Sequence, residues 1–149
     1  MDAFEALLSA GHKTQGVKAA DLFSQAIDLY QGEYLNDLLY YDWPVPERQR
    51  LANANLLAMR RLANHHMAHG NYEEAIGLIK RAIKIDGLSE ESHREAMRYY
   101  AATGDEVGSA RQFRQLQQAL RDELNIEPSS QTQEMYRRLL AEAGLNQGA

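Results

Sequence analysis

The sequence contains no cysteine. That excludes a disulfide framework and a thiolate nucleophile, and it removes the soft sulfur ligands of structural zinc sites; it also fits a reducing compartment. Proline occurs three times in 149 residues, at Pro44, Pro46 and Pro128, each at a break rather than inside a periodic stretch. No apolar run approaches the ~20 residues a membrane-spanning helix needs. The amino terminus has no charged segment followed by an apolar one, so no secretory leader is expected. Basic charge is not in excess either: 16 Lys and Arg stand against 21 Asp and Glu, a formal net charge of −5. A DNA-binding module is usually basic, because neutralising phosphates supplies most of its affinity, so the chain alone is a poor nucleic-acid binder. A phosphate-cradling glycine loop is missing. So is a nucleophile motif with its oxyanion-type turn. Neither an enzyme nor a cofactor or metal site is expected, and the setting expected is cytoplasmic.

What is present is helical periodicity. Alternation of Val, Ile and Thr is nearly absent, which argues against strands, and apolar spacing of three and four recurs throughout. The spacing predicts an all-α fold of about seven helices: roughly Ala3–Ser9, Val17–Tyr30, Pro44–Ala68, Asn71–Ile85, a fifth from Ser89 to Gly104, Glu106–Leu124, and a seventh from Pro128 to about Gly144. Asn71 with Glu74, Ser89, and Ser130 with Gln133 are the expected caps. The tyrosine-rich segment Gln31–Trp43 reads as a loop. The third helix carries two apolar stripes, Leu51, Ala54, Ala58, Leu62 and Leu56, Met59, Ala63, Met67, as expected of a helix enclosed on two faces in a helical solenoid. One domain is expected over residues 1–143, followed by a flexible tail at 144–149.

Gly70 and Gly104 lie 34 residues apart, the period of the tetratricopeptide (TPR) repeat. Around the first, Gly70-Asn71-Tyr72-Glu73-Glu74-Ala75-Ile76 matches the turn and second-helix start of such a repeat. Leu62 precedes Gly70 by eight residues, and Ala75 and Ala82 sit seven apart where two helices must approach closely. The next unit is looser, with Ala110 one residue late. Ala19, Phe23 and Ala26 echo Ala75, Ile79 and Ala82 at a separation of 56 rather than 34, which makes Gln31–Trp43 an insertion. The expected architecture is therefore a TPR-like array of helical hairpins, an α-solenoid.

In this order along the chain, several segments resemble one family, the bacterial transcriptional activator domain of antibiotic-regulatory-type activators. Leu29-Tyr30-Gln31-Gly32-Glu33-Tyr34-Leu35 is similar to its L-Y-x-G-x-x-L segment. Trp43 with Glu47-Arg48-Gln49-Arg50-Leu51 is similar to its W…E-R-x-R-L helix start. Ile85 to Arg94 resembles D-P-L-x-E-x-x-H-R, with Gly87 where proline is usual. Leu120 to Ser129 resembles L-x-x-E-L-G-V-x-P-S, with Asn125 where glycine is usual; Asn tolerates a left-handed helix end better than most residues. The resemblance implies a regulatory module of a larger activator whose winged helix lies upstream. DNA is then contacted only through that missing domain. The partners implied for this chain are proteins: a second copy, the transcription machinery, or other domains of the parent. A helical groove that senses a nucleotide or metabolite is the alternative.

Four clusters are candidate sites. Tyr34, Tyr40, Tyr41 and Trp43 could anchor a partner or cap the first hairpin against the third helix. Arg48, Arg50, Arg60 and Arg61, with Arg94 and Arg98, could line a groove for an acidic peptide or a phosphate, or form a solvated charged face. His65 and His69 share a helix face beside His66, but a zinc site normally needs three protein ligands, and imidazoles suit a helix carboxyl end. Glu90, Glu91, His93, Arg94 and Glu95 look like an acid–base set. Their place at a helix start explains the acids through the helix dipole.

Overall fold

The computed structural model describes residues 3–35 and 38–147, which divide into two compact units, 1–69 and 70–149. In the first, α1 (Ala3–His12) packs on α2 (Gly16–Leu29), and α2 packs on α4 (Val45–Ala68). Phe4 and Leu8 of α1 are buried with Phe23, Ala26 and Ile27 of α2. Gly11 sets the closeness of this pair: a Cβ there would come within 2.9 Å of the Phe23 ring. Most of both stripes of α4 is buried, Leu51, Ala58 and Leu62 on one and Leu56, Met59 and Ala63 on the other, while Ala54 and Met67 are half-buried.

The segment expected as a loop differs. Tyr30–Tyr34 continues α2 as one π-helical turn, closed by Leu35 N donating to Tyr30 O at 3.0 Å, and Leu38–Asp42 forms the short helix α3. Among the described residues the count of α-helices is therefore eight rather than about seven. A five-residue helix is shorter than two turns, so it leaves no apolar period to detect.

The second unit contains α5 (Tyr72–Ile85), α6 (Glu90–Ala102), α7 (Glu106–Leu124) and α8 (Ser130–Gln147). α6 is the hub, packed on α5, α7 and α8. Ala75 and Ala82 are fully buried on α5, where a longer side chain would push a neighbour away. Gly70 and Gly104, the two glycines of the repeat, both have left-handed backbones, φ 77° and 80°. A Cβ is strained there, so glycine ends each helix cleanly. Met97, Phe113 and Met135 bring α6, α7 and α8 into one core, with Phe113 stacked on Tyr136 at 4.2 Å.

The caps are partly as expected. Ser89 Oγ accepts from Ser92 N at 3.3 Å, whereas Asn71 makes no side-chain cap. At α8 the cap is Ser129 rather than Ser130: its Oγ accepts from Thr132 N at 3.3 Å, and Gln133 Nε2 donates to Pro128 O at 2.8 Å. α8 continues to Gln147, into the stretch read as a tail. Asn125 ends α7 at φ 54°, ψ 41°. Replacing it with alanine forfeits the tolerance of asparagine for that region and should cost about 1 kcal/mol. Asn125→Gly should match or exceed the native stability. Urea midpoints of the two variants check both statements.

Candidate functional site

The motif residues at the start of α6 converge on the start of α8. Ser129 N and Thr132 Oγ1 both donate to Glu90 Oε1, at 2.9 and 2.7 Å. Arg94 Nη1 donates to the same Thr132 hydroxyl at 2.9 Å, leaving that oxygen as donor to one charged group and acceptor from another. Burial raises the Glu90 carboxyl, but the hydrogen bonds from Ser129 and Thr132 outweigh it and hold the group below its ordinary value. Thr132 is fully buried. Thr132→Val keeps the shape and removes the hydroxyl, so it should cost about 1–3 kcal/mol by leaving Arg94 and Glu90 each a partner short, measured by thermal or urea unfolding.

Beside this hub, His93 is fully buried. Its Nε2 lies 2.9 Å from Gly87 O and its Nδ1 lies 2.7 Å from Gln112 Nε2. The carbonyl needs a donor and the amide nitrogen needs an acceptor, so the neutral ring with its proton on Nε2 fits. Burial pushes the imidazole below its ordinary value, against the Gly87 hydrogen bond and the Asp86 and Glu90 charges, which raise it. The apparent acid–base set is thus held together by internal hydrogen bonds. Glu95 pairs with Arg98 on the same helix.

In the first unit the aromatic residues also meet. Phe4 packs against Tyr30 and Tyr34, with ring centroids 5.3 and 5.5 Å apart, and Tyr34 against Trp43 at 5.8 Å. Tyr40 reaches Tyr30 through a 3.2 Å hydroxyl contact and lies 6.1 Å from Trp43. Burial and that hydroxyl raise the Tyr30 phenol above its ordinary value. Tyr41 is the outlier: it is 64% exposed and meets the Tyr40 ring edge-on at 5.7 Å.

The arginines do not share one surface role. Arg48 Nε donates to Trp43 O at 3.1 Å, and Arg50 pairs with Glu5 and Glu47. Arg60 is half-buried on α4, and Arg61 is exposed. The His65 and His69 rings lie tilted against each other, with centroids 4.1 Å apart, and His69 Nδ1 is 2.9 Å from His65 O. Burial, then the neighbouring His69 and His66, lower the His65 imidazole. Among the described residues no three His, Cys, Asp or Glu side chains gather as a metal site. Sequence reasoning did not single out Thr132 or Gln112. For Gln112 there is a signal: it interrupts the apolar period of α7 between Ser109, Phe113 and Leu116.

The described residues of both units are helical hairpins without a strand, so the protein is a TPR-like helical module. Its hub is built from the same ordered segments that carry the resemblance. The chain belongs to the bacterial transcriptional activator domain family, whose model matches residues 1–140. It is thus a domain of transcriptional regulation. No curated protein matches it. No described helix is long and apolar enough to cross a membrane.

Proposed function

We propose that this chain is the contact module of a bacterial transcriptional activator, setting the activity of an attached DNA-binding domain by binding a protein or a second copy of itself. The observation that carries this reading is the family match over residues 1–140. The net charge of −5 supports a module that does not itself read DNA. So does the hub: Glu90, His93 and Arg94 are spent on the fold, which leaves contact to the outward faces of the helices. Tyr41, exposed at the edge of the aromatic cluster, is the proposed anchor in the first unit. Arg48 and Arg60 of α4 are proposed as polar contacts on the first unit, and Arg98 of α6, separately, as one on the second. Two measurements on the isolated chain test the reading. Labelled duplex DNA at physiological salt should show no anisotropy change; tight, sequence-dependent binding would overturn the division of labour. Sedimentation velocity at micromolar concentration decides the form of contact: a dimer places self-association in this module, and a monomer leaves only contact with a different protein.

A further inference from the structure

An open groove of about 350 Å³ runs between α5, α6 and α7 in the second unit. Lys80 and Lys84 line it from α5, Tyr100 from α6, and Arg111, Gln112 and Gln115 from α7. No Asp or Glu is among its lining residues. Arg50, Arg98, Arg121 and Arg137 all pair with carboxylates. Lys80, Lys84 and Arg111 have no such partner among the described residues, although the chain carries an excess of acid. Like charges gathered around one concavity repel one another and raise the local positive potential.

We propose that this groove binds an acidic peptide segment of a partner protein, which rests on reading the chain as a contact module. Lys80 and Lys84 are four residues apart, about 6 Å along the helix. Alternate side chains of an extended peptide repeat at about 7 Å, so successive carboxylates on one side of such a peptide meet successive cations. The Arg111 guanidinium offers a carboxylate two parallel N–H donors. Lys80 Nζ lies 6.0 Å from the centroid of the Tyr100 ring, a cation–π contact that holds it at the groove. A phosphate is less well served. Phosphate sites use converging backbone N–H groups at a helix start, and here the Gly108 amide in the first turn of α7 is taken by Asp105 Oδ1 at 2.8 Å.

The test uses the whole chain and a labelled peptide of alternating Asp and Ser, with the Asn–Ser peptide as control. The aspartyl peptide should bind with a strong salt dependence and the neutral one should not. Lys84→Glu and Arg111→Glu should each weaken binding about tenfold or more. Arg114→Glu, an exposed α7 residue outside the groove with the same charge change, should weaken it less than about twofold. All three positions are exposed, so unchanged melting temperatures should confirm that the fold is intact. Equal binding of the two peptides, or an equal loss in Arg114→Glu, would overturn the proposal. So would displacement of the peptide by ATP or inorganic phosphate at concentrations where free aspartate has no effect, which would make the groove a phosphate site. If the groove fails while the chain still self-associates or alters transcription from an attached DNA-binding domain, only the groove assignment falls.

Discussion

Phe4→Ala should be the most destabilising single change in the first unit, with an expected loss of about 3–5 kcal/mol. Phe4 is fully buried, and its ring meets two tyrosine rings. Removing it leaves a cavity and loses the edge-to-face contact with Tyr34, worth roughly a further 0.5–1.5 kcal/mol in such pairs. The loss is a large part of the ~5–15 kcal/mol that stabilises a typical domain. The single tryptophan, Trp43, lies beside Tyr34 in the same cluster, so its fluorescence reports the unfolding of this unit. Tyr41→Ala is the comparison. It is 64% exposed and should shift the urea midpoint little, within about 0.5 kcal/mol. Equal effects at the two positions would mean that the aromatic cluster is not the packed core of the unit.

His93→Ala should cost about 3 kcal/mol in the second unit, from the cavity and from two groups, Gly87 O and the Gln112 amide, left without partners. It should also change the pH dependence. The folded imidazole is held below the ordinary 6.5 while the unfolded one is not. Between the two values the unfolded chain binds more protons, so stability rises with pH through that window. His93 therefore contributes fully above about pH 6.5, and its contribution is lost progressively as pH falls below that. At acid pH a proton on Nδ1 would face the Gln112 amide donor, setting two donors against each other. His12 and His65 are lowered in the same direction; both lie nearer the surface and should contribute less. Urea unfolding between pH 5 and 8 should show a shallower slope in His93→Ala than in the native chain. An unchanged slope would mean that His93 is not the buried neutral group described above.

Much of the fold is legible in the residues. Gly70 and Gly104 require left-handed turns, and they place two helix ends at the repeat period. Alanines at 75 and 82 mark close helix approach, and the double stripe of α4 marks a helix buried on two faces. Asn125 was readable as a left-handed end because few other non-glycine residues adopt that region easily. The π-helical turn and α3 were not, because five residues carry too little periodicity. The cap at Ser129 was misplaced by one residue because two serines adjoin, and which one turns its hydroxyl back depends on the contacts of Thr132 with Glu90 and Arg94.

The site was legible to a lesser degree. Sequence order put Glu90, His93 and Arg94 together, yet whether they do chemistry or hold a joint depends on partners up to 42 residues away. Helical spacing reveals that Lys80 and Lys84 share a face. It does not reveal that Arg111 of α7 lines the same groove, since that requires the α5–α6–α7 packing.

The most direct test attaches residues 1–149 to a heterologous DNA-binding domain of known affinity and measures transcription from a reporter carrying its site, with promoter occupancy measured in parallel. The attached chain should change output severalfold relative to the DNA-binding domain alone, and the change should be lost when the outward contact residues are altered while the fold is kept. Output identical to that of the DNA-binding domain alone, with the chain present, folded and bound at the promoter, would contradict the reading of the chain as a contact module.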